Sequence, residues 1–191
     1  GLADIRSMIV AIDGPAAAGK STVARALAQR LGLTFLDTGA MYRAVALECL
    51  ERGVDLDGAE ACAGVARSLE LHFDEAGAIR IDGRPGEPEI RSERVDRVVS
   101  RVSAHPPVRR AIVALQRDVA RSSGSLVAEG RDTTTVVFPD ATHKFFLIAT
   151  PRERARRRAQ QAGDSSRADQ VLVELERRDR TDATRADSPL V

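Results

Sequence analysis

The sequence predicts an α/β fold, a parallel sheet flanked by helices, and three observations carry that prediction. Short apolar runs of β-forming residues at 8–12, 33–36, 126–128 and 145–149 show little alternation, as strands covered on both faces do. The first two are each followed by a segment of helical period. A glycine-rich loop stands between the first strand and the first helix, where backbone N–H groups are free to hold an anion. With 191 residues, 43% hydrophobic and 30% charged, the chain has material for one core and a small insertion, not for two independent domains.

The strand at 8–12 ends at Asp13, Gly14 and Pro15, a turn signal. From Lys20 the period lengthens: Val23, Ala26, Leu27, Arg30 and Leu31 share a helical face, and Gly32 stops the helix. A second strand at 33–36 leads through Asp37, Thr38 and Gly39, a cap, into a helix at 40–52 closed by Gly53. Between about 67 and 100 the period falls to two. Leu69, Leu71 and Phe73 alternate with polar residues, as do Ile79 and Ile81, across turns at 74–77 and 82–86, which predicts a small antiparallel hairpin inserted into the parallel architecture. Helices are predicted at 91–104 and 107–121, two further buried strands at 126–128 and 145–149, and helices from about Pro151 and Gln170. Residues 1–7 have no periodicity and read as a tail, native or added.

Gly14, Pro15, Ala16, Ala17, Ala18, Gly19, Lys20 and Ser21 satisfy G-x-x-x-x-G-K-[ST] in the context that the motif requires, after a buried strand and at a helix start, with Thr22 next in line. Glycine lets the backbone wrap phosphates and the helix N-terminus adds positive potential. Lys20 is placed to neutralise β and γ oxygens, and the Ser21 hydroxyl to hold Mg²⁺. The loop therefore implies ATP or a similar triphosphate, but it serves GTPases, ATPases and small-molecule kinases alike. None of the 191 residues is asparagine, so they carry no N-K-x-D guanine-reading motif, and a GTPase switch is not expected.

Composition narrows the classes further. No run approaches the roughly 20 apolar residues of a membrane helix, and 8–12 is too short for a secretory core, so a soluble, cytoplasmic protein is expected. Cys49 and Cys62 have neither zinc nor disulfide-framework spacing. His72, His105 and His143 are scattered and receive no catalytic role. A net charge of +1 is too mild for nucleic acid as a main partner.

Four constellations remain. Thr38 and Arg43, the latter one turn beyond Gly39 in the second helix, either face one anion or serve as an N-cap and a solvated arginine. Arg131 and Asp132 follow the strand at 126–128, at the carboxyl edge where open α/β sheets bind ligands. They read as a turn with a surface ion pair, or as a phosphate contact and a carboxylate accepting from the amino group of a base. Arg178, Asp182 and Arg185 are spaced i, i+4, i+7 and share a helical face, as a solvated ladder or as a site. Arg154, Arg157 and Arg158 form a second basic face.

In this order, the segments 14–21, 37–43, 130–141 (G-R-D-x-x-T-V-V-F-P-D-A) and 178–190 (R-D-x-x-D-x-x-R-x-x-S-P-L) resemble the bacterial cytidylate (CMP) kinases, members of the nucleoside monophosphate kinase family. The resemblance covers 8–190. It implies a P-loop kinase core at about 8–66 and 104–150, a CMP-binding insert of hairpin and helix at about 67–103, a helical lid over ATP at about 151–170, and a C-terminal helix with the S-P-L segment at 171–191. It implies transfer of the γ-phosphoryl group of ATP to CMP, and to dCMP, with Mg²⁺, by a monomer without nucleic-acid or membrane partners. ATP would lie on Gly14 to Thr22 with Arg154, Arg157 and Arg158 at the lid. CMP would be lined by Thr38, Tyr42 and Arg43, with Arg43 and Arg131 on its phosphate, Ser100, Arg109 and Asp132 on cytosine, Asp182 on the ribose, and Arg178 and Arg185 on phosphates or the base edge. Lys20, Arg131, Arg157 and Arg178 would carry the transferring charge. The alternatives are another small-acceptor kinase of this fold, for UMP or shikimate, and a nucleic-acid-dependent ATPase. In two places the chain departs from the family pattern. Thr134 stands where the family has glycine, which predicts strain if that position needs positive φ. The sequence stops at Val191, before the family's last strand and helix, which leaves the sheet's edge in question.

Overall fold

The computed structural model describes residues 8–74, 76–161 and 163–184. In chain order, β1 (Ile9–Asp13), α1 (Lys20–Leu31), β2 (Thr34–Asp37), α2 (Thr38–Glu51) and α3 (Ala59–Ser68) come first. Three short strands, β3 (Leu71–Phe73), β4 (Ile79–Ile81) and β5 (Arg84–Pro85), precede α4 (Glu93–Ser103) and α5 (Pro106–Ser123). Then come β6 (Leu126–Gly130), β7 (His143–Phe146), α6 (Pro151–Gln161) and α7 (Ala168–Thr184). The expected parallel sheet is present, four strands in the order β2-β6-β1-β7. The register sets Asp13 opposite Gly130 and Asp37 opposite Glu129, so the carboxyl ends of three strands meet at one edge.

The hairpin is also present. Leu71 pairs with Ile81 and Phe73 with Ile79, and β5 adds a third antiparallel strand. The larger core lies under α2, which is buried on every side from Ala40 to Cys49. A helix buried all round is one packed between layers, and here Arg43 and Glu48 are its only charged residues in that stretch. α1 covers the other face of the sheet, where Ala24 and Ala28 meet Val10, Ile12, Phe35 and Val127. Among the described residues no helix is long and apolar enough to cross a membrane, and Cys49 and Cys62 are free and buried.

Four features correct the sequence reading. α3 was not expected: its buried residues, Cys62, Ala63, Val65 and Ala66, are small, and Gly64 lowers its propensity, so the apolar stripe is faint. The helix expected from 91 begins at Glu93, after a 3₁₀ turn at Glu89–Arg91. β7 lies earlier than the run at 145–149 and is exposed along its length, with Phe145 at 55% and Phe146 at 46%. Among the described residues it forms an edge of the sheet. Finally, Thr133–Val137 wind into one π-helical turn, and Thr134 is not among the described non-glycine residues with positive φ, which are Ala17 and Asp82. The strain expected at Thr134 is absent.

Candidate active site

The carboxyl edge of the sheet opens into a cleft of about 1180 Å³ lined by the 16–22 loop, Arg43, Glu129, Arg131, Arg157, Arg158 and Arg178. The loop owes its path to glycine at two points. Gly14 has φ +148°, and a Cβ there would stand 2.1 Å from the Leu147 carbonyl oxygen. Gly19 has φ +97° and turns the chain into the N-terminus of α1. Lys20, the first residue of α1, is 4% exposed, and its Nζ donates to the Pro15 carbonyl at 2.8 Å. Burial, followed by repulsion from Arg131, lowers its pKa to about 7, against the attraction of Glu129. Ser21 Oγ donates to the Glu129 carboxylate at the end of β6. Burial and then Asp37 raise the Glu129 pKa, with Lys20 opposing.

A recess of about 50 Å³ adjoins the cleft, and Thr38, Tyr42, Ser100, Arg109, Arg131, Asp132, Arg178 and Asp182 line it together. Residues from α2, α4, α5, α7 and the loop after β6 thus converge, though 144 positions separate the first from the last. Thr38 Oγ1 donates to the Glu129 carbonyl at 2.6 Å, which fixes α2 against β6. Arg109 Nη1 donates to the Ser103 carbonyl at 3.1 Å, and Nη2 to Asp132. Its guanidinium lies 4.9 Å from the Tyr42 ring centroid. Arg131 Nε donates to Asp182 Oδ2 at 3.0 Å. Arg131 and Arg178 line both cleft and recess. Burial, then Arg131 and Arg43, lowers the Arg178 pKa to about 10.

The cleft that holds the glycine-rich loop and the carboxylate-bearing recess share two arginines, an arrangement chemically suited to phosphoryl transfer between two anionic groups. The family model for cytidylate kinase matches residues 10–191. This chain belongs to the cytidylate kinase family. It is 50% identical over 95% of its length, and 83% of the relative's, to the cytidylate kinase of Pelotomaculum thermopropionicum. It is 48% identical over 96% of its length to that of Mycobacterium leprae, and 47% identical over 96% to that of Rhodococcus opacus, in each case covering 83% of the relative.

Within this cytidylate kinase family member, Arg43 lies in the cleft with Arg157 and Arg158, and not in the recess. Arg154 is spent elsewhere. It is 4% exposed, and its Nη1 donates to the Ala16 carbonyl at 3.0 Å and to Asp179 Oδ2 at 2.5 Å, so it braces the loop from behind and does not line the cleft. Asp179 also accepts from the Ala16 N–H at 3.2 Å. Arg185, with the S-P-L segment, lies outside the described residues.

Sequence reasoning gave no role to Asp13, Glu129, Asp96 or Asp179. Glu129 had a usable signal, a carboxylate at the carboxyl end of a parallel strand. Asp13 had the same one. Asp96 and Asp179 sit inside charged helical stretches, where their partners come from distant segments and leave no local mark.

Proposed function

We propose that this chain transfers the γ-phosphoryl group of ATP to CMP, and to dCMP, with ATP's phosphates on the loop from Gly14 to Thr22, the acceptor's base and ribose at the recess and its phosphate on the arginine-lined side of the cleft. ATP-dependent phosphorylation of CMP follows from membership of the family. The residue roles rest on one observation: Arg131 and Arg178 belong to the walls of both compartments, where a phosphoryl group in transit would be met from each side.

On the donor side, loop N–H groups and Lys20 hold the phosphates, and Arg157, whose Nη1 would stand 3.7 Å from a Cβ on Gly19, approaches them from α6. On the acceptor side, Arg43 and Arg131 hold the CMP phosphate. Asp132 accepts from the cytosine N4 amino group, which uracil lacks, with Ser100 and Arg109 beside it. Asp182 takes the ribose. The segment at about 67–103 serves as the acceptor insert and that at about 151–170 as the lid. A phosphate monoester is largely dianionic at neutral pH, so its attacking oxygen needs no general base. The protein's task is to align the two phosphates and offset their charge, with Lys20, Arg131, Arg157 and Arg178 doing so.

The oxygen donors at Ser21 and Glu129 suit Mg²⁺, which takes one or two protein oxygens and completes its shell with water and phosphates. Bound there, the ion would neutralise phosphate charge. An acceptor panel with Mg-ATP tests the proposal: CMP and dCMP should be phosphorylated far faster than UMP, AMP or shikimate, and a flat profile would overturn it.

A further inference from the structure

Asp96 of α4 stands where three arginines from three other elements meet. Its Oδ1 accepts from Arg43 Nη2 of α2 at 2.5 Å, and its Oδ2 from Arg158 Nη2 of α6 at 2.9 Å. Arg178 Nη1 of α7 lies 3.7 Å from Oδ1. All three arginines line the cleft, and Asp96 is not among its lining residues, so the carboxylate backs the guanidinium groups. Arg43 is gripped on two sides, because its Nη1 donates to the Ile90 carbonyl at 2.9 Å. Burial opposes ionisation of Asp96, but Arg43, Arg158 and Arg178 together hold its carboxyl below the ordinary range.

Three mutually repelling cations would otherwise point away from one another into water. One carboxylate shared among them draws them together and leaves about two positive charges unbalanced. A phosphate monoester brings a charge of about −1.5 to −2 at pH 7. The same carboxylate joins the α4 segment to α6 and α7, and so links the acceptor side to the donor side.

We propose that Asp96 is a positioning residue that assembles Arg43, Arg158 and Arg178 into the seat for the acceptor's phosphate. It works through the arginines and touches neither substrate. The inference rests on the functional reading above, but it fails separately from it. A wild-type chain that does not phosphorylate CMP defeats that reading, whereas a wild-type-like Asp96 variant of an active enzyme defeats only this one.

The experiment is steady-state kinetics of Asp96→Asn, Asp96→Glu and Asp96→Ser with Mg-ATP and either CMP or UMP, on protein whose cooperative thermal unfolding is verified. Asp96→Asn is expected to lose about tenfold in kcat/KM for CMP. UMP should lose as much, because the phosphate seat is common to both acceptors, so the CMP-to-UMP ratio stays constant. A merely structural role would disturb base selection as well. Asp96→Glu should recover most of the loss by restoring the charge, and Asp96→Ser, the second neutral variant should the Asn protein not fold, should match the Asn result. The proposal is overturned if a folded neutral variant keeps kcat/KM within twofold of wild type. It is also overturned if the variant binds CMP more tightly, which would make the carboxylate a competitor of phosphate, or if the CMP-to-UMP ratio collapses.

Discussion

Arg109 and Asp132 form an ion pair in the interior, with side chains 2% and 4% exposed. The cation that aims the carboxylate into the recess is itself held by the Ser103 carbonyl and the Tyr42 ring, so the carboxylate has a fixed direction. Removing one member of such a pair strands the other as a buried charge. Asp132→Ala is therefore expected to lose about 3–5 kcal/mol of stability, read from the denaturant midpoint. Asp132→Asn keeps the shape and one acceptor oxygen, but presents an amide that can turn its NH₂ toward a base. Its preference for CMP over UMP should fall by an amount equivalent to about 1–3 kcal/mol. An unchanged ratio of kcat/KM values in a folded Asn variant would remove Asp132 from base reading.

Lys20 gives a prediction about pH. Its pKa is about 7 in the folded chain, against 10.5 for an ordinary lysine. Between those values the unfolded chain holds a proton that the folded chain does not, so this group makes stability rise with pH from about 7 to about 10.5. Below pH 7 both states are protonated and the full cost of the buried charge is felt. Lys20→Met should abolish turnover, yet stabilise the nucleotide-free protein at pH 6–7 by an amount on the order of a few kcal/mol, with the difference fading toward pH 10. Phosphates next to Nζ favour the charged form, so ATP binding at pH 8 should take up protons in the wild type and not in the variant. Calorimetry in buffers of different ionisation enthalpy measures this uptake.

The fold and site were legible to different depths for physical reasons. The glycine-rich loop was readable because backbone curvature, helix start and charge are all local properties, spelled out within Gly14 to Ser21. β1, β2 and β6 were readable because burial on both faces demands apolar runs. α3 was not, since close packing used small residues and left no periodic contrast. The bounds of β7 were misplaced because the apolar run begins at Phe145, whereas pairing with β1 extends from His143 to Phe146. At the site, the residues converging on the recess were named through motif order, but the bonds holding them in place were invisible. Asp96 reaches Arg43 and Arg158 across 53 and 62 positions, and no local spacing encodes that.

Asp13 shows the same effect with a measurable consequence. Its Oδ1 accepts from Thr133 N at 2.8 Å and Oγ1 at 2.6 Å, and its Oδ2 from Thr134 N at 2.7 Å and Oγ1 at 2.6 Å. This one carboxylate ties the end of β1, just before the phosphate loop, to the turn following Arg131 and Asp132. Thr134 contributes a donor that glycine would not. Thr134→Gly should therefore cost about 1 kcal/mol from the lost hydroxyl bond, and somewhat more from backbone entropy. Asp13→Ala leaves four donors without an acceptor and should cost roughly 3 kcal/mol or more. Chemical denaturation ranks the two, and a Thr134→Gly protein more stable than wild type would show that the hydroxyl contributes nothing.

Glu129 and Ser21 are the last pair to be separated by experiment. Glu129 is 5% exposed, and burial and Asp37 raise its pKa, so its ionised form is disfavoured in the folded protein. A carboxyl whose folded pKa is raised contributes stability at low pH that is lost as pH rises through the unfolded and then the folded value. Glu129→Gln should accordingly be as stable as wild type or more so at pH 7, which makes it a clean kinetic variant. If Glu129 and Ser21 hold Mg²⁺, both Glu129→Gln and Ser21→Ala should need about tenfold more Mg²⁺ for half-maximal rate, with ATP held saturating. Because the two side chains would serve one ion, the double variant should lose less than the product of the single losses. A loss in kcat that excess Mg²⁺ leaves untouched would instead confine Glu129 to fixing the Ser21 hydroxyl, and the ion would have to be held by Ser21 and the phosphates alone.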